Sequence, residues 1–260
     1  MGSFRAVVVL ILVTILSLVL IPIQWLALKF NWSIKRKLPL YWHQVTRRLM
    51  GIRVTQVGAM AAHRPLLITS NHISWLDIVV LGSVRPLSFI AKSEVAGWPI
   101  FGLFAKLQRS VFVNRSRRTD TRRVTREVAE RMTDGDAMVL FAEGTSSNGN
   151  EVKPFRSAII GAVHHAMDAD GNSDTYVQPL SIAYTRLHGM PMGRQWRPHV
   201  AWYGDMDLPP HLWAILKEGG VDVTLTWGDA RPIEANASRK ALSTALEQDV
   251  RAMTITALTH

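Results

Sequence analysis

A histidine and an aspartate stand five residues apart, directly after an apolar segment of the chain. Residues 71–77 read Asn-His-Ile-Ser-Trp-Leu-Asp and follow the apolar stretch 66–70. In a continuous helix the side chains of His72 and Asp77 would point about 140° apart, so they can meet only if the chain turns between them. A carboxylate that accepts a hydrogen bond from one imidazole nitrogen leaves the other nitrogen free to act as a base. The spacing therefore predicts a candidate His–Asp pair for proton transfer.

The same residues have a structural alternative. Ser74 and Asp77 have the spacing of a capping box, in which each side chain binds the backbone N–H of the other residue. Ser74 would then be the N-cap of the following helix, and Asp77 would only stabilise its first turn. Both interpretations place the segment after a strand, where α/β domains present polar groups to ligands.

From about residue 52 onward, short β-branched runs alternate with helical stretches, which is typical of an α/β sheet. Strands are predicted at residues 53–57, 66–70, 87–91, 111–113, 137–141, 176–184, 199–203 and 221–227. Helices are predicted at residues 75–82, 100–107, 117–133, 157–167, 210–217 and 237–257. Residues 142–156 form a long irregular segment, and loops of that length are usually functional or disordered. We expect a two-layer α/β domain over residues 52–260, with a mixed sheet flanked by helices.

Residues 1–51 are expected to form a membrane-associating helical segment. The uncharged run 6–28 is mostly Val, Ile and Leu, and as a helix it would reach about 34 Å, enough for a bilayer core. A helix that crosses the membrane is the favoured prediction. Because Pro22 interrupts the run, a helix that enters one leaflet and returns is the alternative. Residues 38–49 have an amphipathic pattern, which predicts a helix that lies on the membrane or packs on the domain.

The charge is concentrated at the start of the chain. The first 76 residues contain nine Lys and Arg and no Asp or Glu, in a chain of net charge +10. Basic residues beside an apolar run indicate an anionic membrane surface rather than nucleic acid. More of them follow the apolar run than precede it, which places the rest of the chain on the cytoplasmic side. The absence of Cys excludes disulfides, Cys-based zinc sites and a thiol nucleophile.

Four ordered motifs resemble those of the glycerolipid acyltransferases, typified by 1-acyl-sn-glycerol-3-phosphate acyltransferase. The spacing of His72 and Asp77 is similar to the His-x4-Asp motif of that family. Val-Phe-Val-Asn-Arg at residues 111–115, Phe-Ala-Glu-Gly-Thr at 141–145 and Val-Gln-Pro-Leu at 177–180 are similar to its second, third and fourth motifs.

This resemblance implies a membrane-bound enzyme of lipid biosynthesis that moves a fatty acyl chain to the hydroxyl of a lyso-lipid. The donor would be a thioester of acyl carrier protein or coenzyme A, with no cofactor and no metal. By the same resemblance, His72 would be the general base and Asp77 would orient it. Residues expected to bind the acceptor are Arg115, Glu143, Gly144 and Thr145, and Lys153 is expected to reach into the same pocket.

Two further segments narrow the resemblance. Residues 89–95 and 201–205 are similar to the bacterial lyso-ornithine lipid acyltransferases, which implies a site on the cytoplasmic side of a bacterial inner membrane. Ser146 stands where the family often has a second Arg, and the loss of this cation argues against a phosphate headgroup. Ala142 replaces the usual Pro without removing a reactive group. We expect lyso-ornithine lipid as acceptor, with 1-acyl-sn-glycerol-3-phosphate as the alternative.

Other classes of protein explain less of the sequence. A lipid esterase would need Gly-x-Ser-x-Gly, which residues 144–149 miss by one position. A zinc hydrolase would need His-Glu-x-x-His, which the sequence lacks. A non-catalytic protein of the membrane surface would account for the basic charge but not for the ordered motifs.

Overall fold

A long apolar helix precedes a mixed sheet in the computed structural model of the chain, which describes residues 2–113, 118–157, 160–161, 175–233 and 238–259. The helices are α1 (Gly2–Lys29), α2 (Lys37–Leu49), α3 (Leu76–Gly82), α4 (Phe101–Leu107), α5 (Arg118–Thr133), α6 (Arg197–Val200), α7 (Leu208–Glu218) and α8 (Arg239–Thr259). The strands are β1 (Ile52–Val57), β2 (Leu66–Ser70), β3 (Ser88–Lys92), β4 (Val111–Val113), β5 (Ala137–Phe141), β6 (Tyr176–Leu187), β7 (Met190–Pro191), β8 (Val221–Trp227) and β9 (Arg231–Pro232).

These strands form one sheet in the order β1-β8-β6-β2-β5-β3-β4, with the short β7 and β9 paired to β6. β2 runs parallel to β5 and β6, whereas β8 runs antiparallel to β6. The predicted mixed sheet flanked by helices is confirmed. Because β2, β3 and β5 are parallel, the loops that follow them meet at one edge of the sheet.

Helices cover both faces of this sheet. Leu66 and Ile68 of β2 pack in one cluster with α1, α3 and α7, while Leu67 packs in another with α5 and α8. Successive side chains of a strand point to opposite faces, and all five residues of β2 are buried. The expected two layers therefore become three, since each apolar face needs its own cover.

The predicted strand at residues 199–203 is wrong. The chain forms the short helix α6 up to Val200, with Pro198 in its first turn, and then continues without joining the sheet. Trp202 instead donates its backbone N–H to the carbonyl of Ile73 at 2.9 Å. Val200 and Ala201 are buried. The apolar residues that suggested a strand are therefore buried by packing on the core and not by pairing within the sheet. The other predicted strands lie within three residues of their expected bounds.

The predicted helices also occur within three residues of their expected bounds, apart from the helix at 157–167, which lies mostly outside the described residues. By length and composition, α1 is the described helix that could cross a membrane.

Polar contacts fix α1 to the domain along its length. Arg5, near its start, donates to backbone carbonyls at the ends of α2 and α7. In its middle, the hydroxyl of Ser17 accepts from the Trp42 indole at 2.9 Å. Near its end, the Gln24 amide donates to the carbonyl of Leu107 at 2.7 Å.

The amphipathic helix α2 buries one side and leaves part of its apolar surface exposed. Its buried residues are Leu38, His43 and Thr46, whereas Tyr41 and Val45 are exposed. The helix therefore packs on the rest of the protein through one side, and contact of its exposed apolar residues with a membrane stays a prediction. The outward side of α1 is apolar as well, with exposed Phe4, Val7, Val8, Leu10, Ile11, Leu12, Ile15, Leu18 and Val19.

Candidate active site

The carboxyl group of Asp77 is buried and faces four hydrogen-bond donors. Oδ2 accepts from the backbone N–H groups of Ile73 at 2.7 Å and Ser74 at 3.0 Å. The same oxygen lies 2.8 Å from Nδ1 of His72, and Oδ1 accepts from the Tyr184 hydroxyl at 2.7 Å. Hydrogen bonds to a charged acceptor are about twice as strong as neutral ones. The carboxylate thus holds the loop between β2 and α3 in one conformation.

His72 is oriented by this carboxylate and by an aromatic ring. Because a carboxylate only accepts, Nδ1 carries the ring proton and Nε2 is the unprotonated nitrogen of the neutral imidazole. The imidazole stacks on Phe141, with ring centroids 4.0 Å apart and planes 15° from parallel. Its side chain is 21% exposed, and Nε2 forms no hydrogen bond to any residue that the structure describes. The chain therefore turns between His72 and Asp77, as the pair requires.

Half of the alternative capping box is also present. Asp77 binds the Ser74 N–H, but the buried Ser74 hydroxyl has no hydrogen-bond partner among the described residues, and Trp75 is the residue that precedes α3. The prediction that Ser74 caps this helix through its side chain is wrong. The Asp77 N–H that such a cap would bind already donates to the backbone carbonyl of Ser74 at 3.0 Å. Asp77 therefore serves the turn and the imidazole together.

Strand β6 supplies two anchors that the sequence did not reveal. Beyond the last residue of β2, the Asn71 side chain takes the place of a strand: it donates to the carbonyl of Ile182 at 2.9 Å and accepts from the N–H of that residue at 2.8 Å. Two residues further, Tyr184 reaches Asp77. Residues two apart in a strand share a face. The sequence contains one indication of this contact, a Tyr within an apolar strand. A buried Tyr hydroxyl usually has a hydrogen-bond partner.

Glu143 lies buried next to the backbone of His72. Its Oε1 accepts from the His72 N–H at 3.3 Å, whereas Oε2 is buried without a hydrogen-bond partner among the described residues. Burial raises the pKa of Glu143 to about 8, and the Asp77 charge acts in the same direction, while the backbone N–H groups of His72 and Lys153 oppose the shift. At neutral pH this carboxyl group is therefore mostly protonated and can donate a hydrogen bond.

The irregular segment 142–156 is tied to the His72 loop. The backbone N–H of Ser147 donates to the carbonyl of His72 at 2.8 Å. Gly144 has a φ of +71° in the turn after β5, where its N–H donates to the carbonyl of Phe141 at 3.1 Å. A side chain would be strained in that conformation, which explains the glycine. The segment therefore brings its polar residues to the edge of the sheet where His72 lies.

The other predicted acceptor-binding residues are placed as follows. The Lys153 ammonium donates to the carbonyl of Ser146 at 2.8 Å and lies close enough to Glu143 for its charge to act on that carboxyl group. Thr145 is half-buried in the turn that follows Gly144. Arg115 lies outside the described residues. Among those residues, no group of three or more His, Asp or Glu side chains is placed to hold a metal ion.

This arrangement suits general base catalysis on an alcohol. A neutral imidazole whose Nδ1 proton is held by a carboxylate can take a proton at Nε2, an effect that typically contributes ~10²–10⁴-fold. In the described part of the chain, neither the Ser146 nor the Ser147 hydroxyl hydrogen-bonds to the His72 imidazole, and the Ser147 hydroxyl is buried, where it accepts from the Gly149 N–H at 3.3 Å. Within those residues, the site therefore offers an imidazole with no serine hydroxyl bound to it.

A His–Asp pair at the carboxyl ends of parallel strands is an arrangement suited to an enzyme that moves a proton, and comparison with known proteins identifies the family. The family model described as Acyltransferase matches residues 51–183. A lyso-ornithine lipid O-acyltransferase of Brucella abortus (strain 2308) is 51% identical over 99% of this chain and 96% of its own length. A 1-acyl-sn-glycerol-3-phosphate acyltransferase of Neisseria gonorrhoeae is 31% identical, over 76% of this chain and 73% of its own.

A solved structure shares the fold. The crystal structure of the 1-acyl-sn-glycerophosphate acyltransferase from Thermotoga maritima superposes with a TM-score of 0.65 at 19% identity, over 98% of this chain and 97% of that one. The chain belongs to the acyltransferase family, and it is an acyltransferase. The resemblance seen in the four motifs is confirmed at that level.

The raised pKa of Glu143 predicts that stability depends on pH. Between about pH 4.5 and about pH 8 the folded protein keeps a proton that the unfolded chain has released, so the free energy of unfolding falls as pH rises through this window. One proton accounts for at most about 1.4 kcal/mol per pH unit. Glu143→Gln removes this proton, so the melting temperature of the variant should fall less than that of the wild type as the pH is raised.

Glu151→Gln is the matched control, because Glu151 is an exposed acid in the same segment. Its melting temperature should follow the wild-type pH dependence. If Glu143→Gln and the wild type show equal slopes, Glu143 is already ionised in the folded protein.

Proposed function

We propose that the enzyme transfers a fatty acyl chain from a thioester of acyl carrier protein or coenzyme A to the hydroxyl of a lyso-lipid, with His72 as general base and Asp77 as the residue that orients it. The contact of 2.8 Å between Nδ1 and Oδ2 carries this proposal. The alcohol proton moves to Nε2 while the alcohol oxygen bonds to the thioester carbonyl carbon. The C–S bond then breaks, and the thiol leaves with the proton from His72.

For the acceptor we propose lyso-ornithine lipid, bound by Arg115, Glu143, Gly144, Thr145 and Lys153. The name of the Brucella relative supports this choice, since it is 51% identical over nearly the whole chain. An ornithine headgroup carries one carboxylate and one ammonium, so it needs fewer cations than a phosphate. Ser146, which stands where the family often has a second Arg, is consistent with an acceptor that needs fewer cations. The alternative acceptor is 1-acyl-sn-glycerol-3-phosphate, named for the Neisseria relative.

We divide the chain into a membrane-associating segment, residues 1–51, and a catalytic domain, residues 52–260. The lipid-facing surface consists of the exposed apolar residues of α1 together with exposed residues of α2 and of the region around α4, namely Tyr41, Val45, Trp98, Ile100 and Leu103. Many exposed large apolar residues, as on these elements, are typical of proteins that bind membranes.

The contacts of α1 favour a helix that lies in one leaflet rather than one that crosses the bilayer. Arg5 and Gln24 both bind the domain, through the carbonyls of Leu216 and Leu107, and they are about 28 Å apart along the helix axis. Since that distance approaches the thickness of the hydrocarbon core, a crossing helix would draw the domain into the bilayer. The basic residues around α1 would then contact anionic headgroups on the cytoplasmic side of the bacterial inner membrane.

The proposed acceptor can be tested directly. Purified enzyme is given one acyl carrier protein thioester with lyso-ornithine lipid and lysophosphatidic acid in separate assays. We expect kcat/KM to be about tenfold or more higher for lyso-ornithine lipid, because a site built for one polar headgroup leaves groups unpaired with another. A preference for lysophosphatidic acid would support the alternative acceptor, and release of free fatty acid in place of transfer would indicate an esterase.

The base is tested by His72→Ala, which should lower kcat by ~100-fold or more. The melting temperature should change little, because the imidazole is partly exposed at the end of a strand. Asp77→Asn should lower both kcat and the melting temperature, since the amide nitrogen cannot accept a hydrogen bond and four donors face this group. Near wild-type turnover in well-folded His72→Ala would remove the proposed mechanism.

His63→Ala is the control for loss of an imidazole. His63 is exposed and stacks on Tyr176 at the opposite end of the sheet, with ring centroids 4.0 Å apart. Turnover of this variant should match the wild type.

The position of α1 can be tested by labelling, because the chain has no Cys. Ser3→Cys and Ser33→Cys place single thiols at exposed positions beside the two ends of α1. In intact spheroplasts both thiols should be protected from a membrane-impermeant maleimide, and in inverted vesicles both should react. Labelling of the two thiols from opposite sides would show a crossing helix. Labelling of both from outside would reverse the proposed orientation.

A further inference from the structure

The donors to Asp77 are unevenly divided between its two oxygens. Oδ2 is shared by two backbone N–H groups and His72, whereas the Tyr184 hydroxyl is the donor to Oδ1 among the described residues. Rotation of an Asp carboxylate about its last torsion has broad, roughly two-fold preferences. A donor on the second oxygen therefore decides how firmly the first one stays in line with Nδ1.

Tyr184 is held rigidly for this contact. It lies in β6, between β2 and β8, pairs with Val223, and is 2% exposed. Burial raises the pKa of Tyr184 well above its usual range, and the adjacent Asp77 charge acts in the same direction. The hydroxyl therefore remains protonated at every pH at which a lipid enzyme would be assayed, so it always donates.

We propose that Tyr184 is a positioning residue for acyl transfer: its hydroxyl fixes the rotation of the Asp77 carboxylate and neutralises part of the charge that this carboxylate presents to His72. This inference rests on the proposed roles of His72 and Asp77. It gives β6 a part in the reaction through Tyr184, which is remote in sequence from the His72 loop.

The direction of the effect follows from charge. Without the Tyr184 donor, the negative charge of Asp77 is less neutralised, so the imidazolium form of His72 becomes more favourable. The ascending limb of the pH profile of the reaction is then expected at higher pH. The other titratable groups near the pair in the described residues are Glu143, at the His72 backbone, and Lys153, beside Glu143. Neither group hydrogen-bonds to Tyr184 in the described part of the chain, so the donor to Asp77 is the contact that a change at Tyr184 removes.

Tyr184→Phe tests this, with kcat/KM measured against pH for transfer from an acyl carrier protein thioester to whichever lyso-lipid the acceptor assay favours. We expect the ascending limb to move up by roughly half a pH unit or more. We expect the plateau to fall by about tenfold, the loss that follows removal of one hydrogen bond to a charged group. Tyr176→Phe makes the same chemical change at the other end of β6 and should alter neither quantity.

A second variant keeps the shape of the side chain. Tyr184→3-fluorotyrosine, introduced by genetic code expansion, gives a more acidic phenol and hence a stronger donor, so the limb should move to lower pH with the melting temperature unchanged. If Tyr184→Phe does not fold, the pH profile of the 3-fluorotyrosine variant tests the inference.

If the ascending limb of the pH profile does not move, the inference is wrong even where Tyr184→Phe lowers activity, because that loss of activity would be structural. If His72→Ala retains turnover, the proposed function fails; if it is inactive and the limb stays fixed, only the role of Tyr184 fails.

Discussion

The buried charge of Asp77 constrains the conformation of everything around it. An ionised carboxylate removed from water costs several kcal/mol unless hydrogen bonds replace its hydration. Here the replacements come from the backbone of Ile73 and Ser74, from the imidazole of His72 and from Tyr184. A different path for the loop would leave this charge without partners. The contacts that fold the loop are therefore the same contacts that set the tautomer of the base.

This constraint extends into the sheet. β2 ends at Ser70, opposite Leu180, yet β6 continues for seven more residues. The antiparallel strand β8 supports that extension, since it pairs with β6 as far as Leu187. Asn71 and Asp77 both find partners on the extended part of β6. The antiparallel strand that makes the sheet mixed is therefore also what supports the anchors of the His72 loop.

The sequence predicted what depends on local pattern. Most strands and helices follow from apolar periodicity, and the types and spacing of His72 and Asp77 were enough to predict a pair. The contact between Tyr184 and Asp77 could not be predicted, because the two residues lie 107 positions apart in the chain. The buried side of α2 is another case: His43 is buried against Gly82, where a Cβ atom would come within 2.4 Å of the imidazole. No pattern within α2 shows that an imidazole would be buried while Tyr41 and Val45 stay exposed.

A short path of contacts joins His72 to the exposed apolar surface that is proposed to face lipid. Trp98, which is 38% exposed, meets Trp202 edge to face with ring centroids 6.0 Å apart. The backbone N–H of Trp202 binds the carbonyl of Ile73, and the N–H of Ile73 binds Asp77. A lyso-lipid keeps its acyl chain in the bilayer and presents its hydroxyl near the headgroups. In the proposed reaction the base must therefore lie at a fixed depth relative to the headgroups. Close-packed contacts of this kind deform little, so they keep His72 at a fixed distance from the apolar surface. The apolar helices would then set the height of His72 above the bilayer as well as hold the enzyme there.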